Sequence, residues 1–215
     1  MSRPDPIDPD TPLQLLMLRH APTEWNDDRR LQGRSNQPLS DSGRALAQRW
    51  RLPAAFVGAP VVTSPLIRAK ETAEILAPGQ AITEEPALIE MDWGAWEGQR
   101  LRDIRRTDPE GLAAAEARGR DITPPGGESP RQVWTRLEGF LRSIAPTGQP
   151  GQDLRLVAVC HKGVMRALMA EACNWDMTGP PPINPARSEA LLFRIAPGGA
   201  PFDWVEPVSL MPEEA

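Results

Sequence analysis

The apolar residues Leu15-Leu16-Met17-Leu18 form a short unbroken run that stops abruptly at Arg19-His20. Such a run predicts a strand buried on both faces, which hands its polar successors to the carboxyl edge of the sheet. Open α/β sheets bind ligands at that edge. The same pattern returns at Leu156-Val157-Ala158-Val159-Cys160, where His161-Lys162-Gly163 reads as a turn and Val164 to Ala172 as a helix. Val61-Val62-Thr63 predicts another short strand, and Ser64-Pro65 supplies an expected N-cap and a proline at the first helical position for a helix from Leu66 to Leu76. Ser40 is placed to cap a helix reaching Trp50. Ser129 with Gln132 makes a capping box for a helix running to Ile144. Ala190 to Ile195 and Phe202 to Val205 complete the strands, whereas Leu101 to Pro125 carries no legible motif. Strands alternating with helices predict an α/β fold: a three-layer αβα sandwich with a mostly parallel central sheet.

Composition narrows this picture. A length of 215 residues with 40% hydrophobic and 25% charged residues suits one soluble domain. That domain is expected over 13–208, with a flexible tail over 1–12 and a second tail over 209–215. The 25 prolines, several in Gly179-Pro180-Pro181-Pro182, read as stiffened loops. A net charge of −5 with scattered basic residues argues against nucleic-acid and anionic-membrane partners, so any anion must be bound locally. Leu15 to Leu18 is too short for a signal-peptide core or a membrane span. Cys160 and Cys173 allow one bridge at most and fit a reducing cytoplasm. Oligomeric state is not legible.

The chain has only two histidines, His20 and His161, and each directly follows an apolar strand. One histidine alone is more often a satisfied structural residue than a catalyst; two placed alike reverse that preference. Arg19 adjoins His20, and Arg68 falls on the first turn of the helix after Ser64, so two guanidinium groups can converge on both imidazoles. Arginine's planar fork matches phosphate oxygens, and neighbouring positive charge depresses a histidine's pKa, freeing a ring nitrogen to attack. For Arg68, with Lys70 and Glu71 nearby, a surface ion pair is the plainer alternative.

These residues belong to longer blocks: Leu18-Arg19-His20-Ala21-Pro22-Thr23-Glu24-Trp25-Asn26, Leu31-Gln32-Gly33-Arg34 with Pro38-Leu39-Ser40, Ser64-Pro65-Leu66-Ile67-Arg68-Ala69 with Thr72-Ala73, Glu90-Met91-Asp92-Trp93-Gly94 with Trp96-Glu97-Gly98, Gly127-Glu128-Ser129 and His161-Lys162-Gly163-Val164-Met165-Arg166. In this order they closely resemble the signature of the histidine phosphatase superfamily, the phosphoglycerate mutase-like fold. The resemblance implies that His20 is the nucleophile and that Arg19, Arg68 and His161 hold the phosphoryl oxygens. It also implies that Asn26 adds a neutral donor, that Thr23, Gln32 and Gly33 lie at the phosphate, and that Glu90 is the proton donor. The implied activity is hydrolysis of a small phosphate ester through phosphohistidine, without cofactor or metal. Ala21 and Pro22 depart from the usual glycine and acid. Lys162 replaces a commonly small residue and could contact a second acidic group of the substrate or point to solvent. Trp25, Trp93 and Trp96 could line the mouth, although core positions are commoner for tryptophan.

Four alternatives keep their place. Cys160 to Arg166 fits C-x5-R, the pattern of cysteine-based phosphatases, yet a thiol ending an apolar run is more often buried and inert. A phosphoglycerate mutase would share the nucleophile, but Glu90 is followed here by Met91-Asp92-Trp93-Gly94 in place of the mutases' Glu-Arg-His-Tyr-Gly block. A non-catalytic phospholigand-binding relative would need none of the charged set that is present. A metal hydrolase would need ligand spacing that two distant histidines do not supply.

Overall fold

The computed structural model describes residues 11–147 and 154–212; side chains at 202–204 lie outside the description. Most of the expected tail over 1–12, and the end of the tail expected over 209–215, fall outside the described residues.

Strand β1 (Leu13–Arg19) leads through a turn into the short helix α1 (Glu24–Asp27) and then α2 (Asp41–Ala47). Strand β2 (Val61–Thr63), helix α3 (Ile67–Leu76) and strand β3 (Ile82–Glu84) follow. A helical excursion, α4 (Leu101–Thr107) and α5 (Pro109–Glu116), precedes α6 (Pro130–Ile144). The chain closes with β4 (Arg155–Cys160), α7 (Lys162–Ala172), β5 (Glu189–Ile195) and β6 (Pro201–Ser209).

The strands form one six-stranded sheet in the order β3-β2-β4-β1-β5-β6. The first four run parallel, while β5 and β6 are antiparallel, so the sheet is mostly parallel as expected. Because side chains alternate along a strand, β1 feeds two cores. Leu13, Leu15 and Met17 pack with α6 and α7 through Leu137, Leu141, Val164 and Leu168. Leu16 and Leu18 pack with Trp50, Val61, Ala69 and Ala73 on the α2 and α3 side. Helices thus cover both faces, the three layers that the apolar runs predict.

Several local expectations are corrected. The helix after Ser40 ends at Ala47, not Trp50, although Ser40 does cap it by accepting from Gly43 N. Ser64 is not the cap of α3: that helix begins at Ile67 with Leu66 in the cap position and no side-chain cap bond. α7 starts at Lys162, so His161 is its N-cap residue and the expected turn is its first turn. The segment over 101–125 contains α4 and α5, joined at Asp108, whose side chain caps α5 by accepting from Gly111 N. The domain also extends past 208, since β6 includes Ser209 and Leu210 is buried. Among the described residues no helix is long and apolar enough to cross a membrane, and no disulfide joins Cys160 to Cys173.

Candidate active site

β4 is inserted between β1 and β2, so the crossovers leave β1 and β4 side by side with a crevice beyond their carboxyl ends, the place where such sheets bind ligands. The register pairs Arg19 with Cys160, and His20 N donates to Cys160 O at 2.9 Å. The next residue of each strand is therefore a histidine, and the two rings lie 5.2 Å apart between centroids.

Their hydrogen bonds assign distinct tautomers. His20 Nδ1 is 2.7 Å from Ala21 O. A carbonyl can only accept, so Nδ1 carries the proton and Nε2 presents its lone pair. His161 Nδ1 lies 3.3 Å from Arg68 Nε, which can only donate, so the proton of His161 sits on Nε2 and is given to Ser64 Oγ at 2.7 Å. Burial holds both histidines well below the usual range, and the charges of Arg19 and Arg68 add to this at each ring.

Arg68, fully buried, is fixed by three bonds. Besides His161, it donates to Ser35 O at 2.8 Å and Gly33 O at 2.7 Å. Two of the guanidinium's five N–H groups stay uncommitted. The carbonyls it uses are held in turn by Glu97, which accepts from Arg34 N at 2.7 Å, Ser35 N at 2.9 Å and Ser35 Oγ at 2.6 Å. Gly33 adopts φ +52°, and a Cβ there would fall 1.8 Å from Glu97 Oε1, so only glycine fits that turn. Thr72 Oγ1 donates to Arg68 O and accepts from Ala21 N, tying α3 to the turn after β1. Arg19 contrasts with Arg68, because its buried Nε has no partner. Burial, with Arg187 and other charges, lowers its pKa to about 10, where it is still cationic at neutral pH.

Glu90 is also nearly buried. Its Oε1 accepts from Met91 N at 2.8 Å and its Oε2 from Gly163 N at 3.3 Å. Desolvation raises its pKa above the ordinary carboxylate range against the opposing pull of these amides and of both arginines. The segment before it is braced by Arg136, which donates to Ala87 O and Ile89 O and pairs with Glu128 at 3.0 Å.

Of the ten site residues expected from sequence, Arg19, His20, Asn26, Gln32, Gly33, Arg68, Glu90 and Lys162 line one cavity of about 500 Å³. Asn26 Oδ1 accepts from Thr23 N and lies 3.3 Å from Thr23 Oγ1, leaving its amide N–H groups as the free donors. Gln32 Oε1 is buried without a partner. Thr23 is not on the cavity wall; it is fully buried as the N-cap of α1, in a capping box with Asn26. His161 is likewise behind the wall, with no exposed surface and both nitrogens engaged. Trp93 and Trp96 line the cavity with their rings stacked 6.2 Å apart. Trp25 instead packs beside Gly98 and under Arg30.

Sequence reasoning missed Ser64 as the partner of His161, Glu97 as the clamp behind Arg68, and Leu101, Leu112, Ile122 and Trp175 on the cavity wall. Asp108-Pro109 carried a readable signal for α5, an N-cap acid before a proline at the first helical position; Ser64 and Glu97 both stand within the blocks that carry the family resemblance, but their partners lie far away in sequence. Cys160 is buried in the core, and burial pushes its thiol far up, the reverse of what a thiolate nucleophile needs.

The arrangement has counterparts. A bifunctional protein of Mycobacterium tuberculosis is 39% identical over 137 residues, which cover 59% of this chain but 36% of that protein. This chain therefore matches about a third of the length of that relative. Phosphoglycerate mutase-like protein 4 of Arabidopsis thaliana is 33% identical over 166 residues, 74% of this chain and 70% of that one. The structure of a mycobacterial glucosyl-3-phosphoglycerate phosphatase, in complex with VO3, superimposes with a TM-score of 0.70 at 27% identity over 84% of this chain and 92% of the other. The family model of the histidine phosphatase superfamily (branch 1) matches residues 15–203, the span that holds both histidines, both arginines and Glu90, and the chain belongs to that superfamily.

Proposed function

We propose that the protein hydrolyses small phosphate monoesters through a phosphohistidine at His20. The observation that supports this reading is the state of His20: its Nδ1 proton is held by Ala21 O, which leaves the lone pair on Nε2, and the residue lines one cavity together with Arg19 and Arg68. In-line attack by Nε2 on phosphorus forms the N–P bond as the ester P–O bond breaks. Arg19 and the free N–H groups of Arg68 stabilise the charge spread over the equatorial oxygens, with the amide of Asn26 as a neutral donor. Glu90, whose pKa burial raises, gives a proton to the leaving oxygen. The resulting carboxylate then takes a proton from the water that cleaves the N–P bond, which regenerates both groups. His161 serves by holding Arg68 in place, its ring locked between Arg68 and Ser64. The cations come from the protein's own side chains, so turnover is expected to persist in excess chelator.

The test is phosphate release from a panel of phosphorylated metabolites by the protein and by His20→Ala, with trapping of an acid-labile phosphoenzyme. Loss of release by about 10³-fold or more in the variant is expected for removal of a nucleophile. Equal release from both proteins would reject the assignment. Phosphoglycerate isomers that interconvert without freeing phosphate would indicate a mutase instead.

A further inference from the structure

The groups assigned to phosphoryl transfer account for only part of the cavity, whose volume of about 500 Å³ is that of a site enclosing a whole small molecule. Leu31, Trp93, Trp96, Leu101, Ile122 and Met177 line the same cavity, and each is half-buried, so each keeps apolar surface in contact with solvent. Apolar surface gathered in a concavity marks a ligand site, whereas single exposed apolar residues on a convex surface need no explanation. Hydrogen-bonding side chains are scarce on this wall. Among the described residues no serine, threonine or aspartate lines it. Arg30 is paired with Asp28 at 3.0 Å, Glu116 with Arg105 at 2.7 Å, and Trp175 Nε1 donates to Thr178 O at 3.4 Å. The indoles of Trp93 and Trp96 and the cations Lys162 and Arg166 can only donate. A substrate hydroxyl therefore finds no uncommitted side-chain acceptor beyond those at the phosphate. A polyol loses water against such a wall without replacing its bonds, while a hydrocarbon gains by leaving water.

The wall is braced from behind. The Arg105–Glu116 pair joins α4 to α5. Arg120 joins the turn before Ile122 to the end of α7: its N donates to Asp176 O at 3.0 Å and its Nε to Trp175 O at 2.7 Å, and it pairs with Glu171 at 3.0 Å. Gly119 lies so near this loop that a Cβ would fall 2.2 Å from Asp176 O. An apolar surface held in place in this way is preorganised for a ligand. We infer that this wall binds the alcohol part of the substrate, and that the site selects phosphate monoesters of an apolar, uncharged alcohol over polyhydroxylated sugar phosphates. The inference rests on the hydrolase reading for its place in turnover, and on the wall alone for binding. Leu101 and Ile122, from the segment over 101–125, are then specificity-determining residues.

The test compares hexyl phosphate with glucose phosphorylated at its primary hydroxyl. Both are esters of a primary alcohol with the same phosphate charge and carbon count, so the ratio of their kcat/KM values reports the body rather than the bond that breaks. The hexyl ester is expected to be favoured by about thirtyfold or more, the scale of two or three buried methylenes. Leu101→Gln with Ile122→Asn should cut that ratio by about tenfold, chiefly through KM for the hexyl ester. A substitution that merely loosens the fold lowers both rates and leaves the ratio in place, and Ile122→Val, which keeps the wall apolar, should retain the preference. Calorimetric titration of His20→Ala reads binding without turnover, and hexyl phosphate should bind there more tightly and with the more negative heat-capacity change. A ratio near one or in favour of the sugar phosphate, equal affinities by calorimetry, or a ratio unmoved by the double substitution would overturn the inference. Absence of turnover with every phosphate ester, together with a calorimetric preference for hexyl phosphate that the double substitution removes, would reject the hydrolase reading and leave the selectivity of the wall standing.

Discussion

His20 and Glu90 line one pocket yet their pKa values are pushed in opposite directions, and the cause is the same burial acting on groups of opposite charge type. Burial penalises the cationic imidazolium and the anionic carboxylate alike, so the histidine's pKa is lowered and the glutamate's is raised. The sign of the pH dependence follows. Neutral His20 exists above its depressed pKa, and protonated Glu90 exists below its raised one. The kcat/KM profile should therefore be bell-shaped, with an acid limb below the ordinary histidine range and a basic limb above the ordinary carboxylate range. Arg19 is the largest charge acting on His20. Arg19→Met should move the acid limb upward while lowering kcat by about 10² to 10³, the usual loss for one charge-stabilising donor. An acid limb that stays in place or moves down in that variant would show that Arg19 does not set the state of His20.

At the scale of elements, the site depends on where helices begin. α7 starts directly after β4, so Gly163 N points at Glu90, and a Cβ on Gly163 would lie 2.5 Å from Glu90 Oε1 and 3.1 Å from Met91 Cβ. Gly163→Ala should favour the helix itself, by up to about 1 kcal/mol at an interior position, and yet displace the carboxylate, the flexible partner in that clash. The expected result is a fall in kcat of about 10² or more with little change in KM and no loss of melting temperature; a variant with unchanged kcat would argue that Glu90 is not the acid. Element starts were also where sequence reading succeeded and failed. The capping box at Ser129 and Gln132 is a local device, since each side chain reaches the other's backbone within one turn, so it was legible. Ser64 before Pro65 carries the same local signature, but a tertiary partner prevails: its hydroxyl goes to His161, 97 positions away in sequence, and α3 starts without it. Strand β3 has three residues at a sheet edge, and α1 has four; neither is long enough to impose a period.

Over the whole molecule, the apolar runs at Leu15 to Leu18 and Leu156 to Cys160 fixed the layering, because strands covered on both faces must be apolar throughout. The clamp on Arg68 was hidden, since Gly33, Ser35, Glu97 and His161 meet only after β1, β2 and β4 have paired. What folding assembles there is an excess of positive charge: Arg19, Arg68, Lys162 and Arg166 line the cavity and Arg187 lines a smaller one that shares Arg19, Lys162 and Arg166 with it, against the carboxylates Glu90, Glu116 and Glu189, and burial lowers the pKa of each of the five cations. Five cations close together raise the free energy of the native state, and an anion that binds only that state relieves the repulsion. Inorganic phosphate should therefore raise the melting temperature. At a concentration about 100 times its Kd the stabilisation is about 2.7 kcal/mol, which for a chain of this size corresponds to roughly 5 to 11 °C. The shift should shrink sharply in Arg68→Met, where two free donors are lost, and should persist in His20→Ala, where the nucleophile is removed but the cations remain. Scanning calorimetry across a phosphate series, with chloride at matched ionic strength as control, measures this directly. An equal rise with chloride would mean that general screening, rather than a specific anion pocket, relieves the charge.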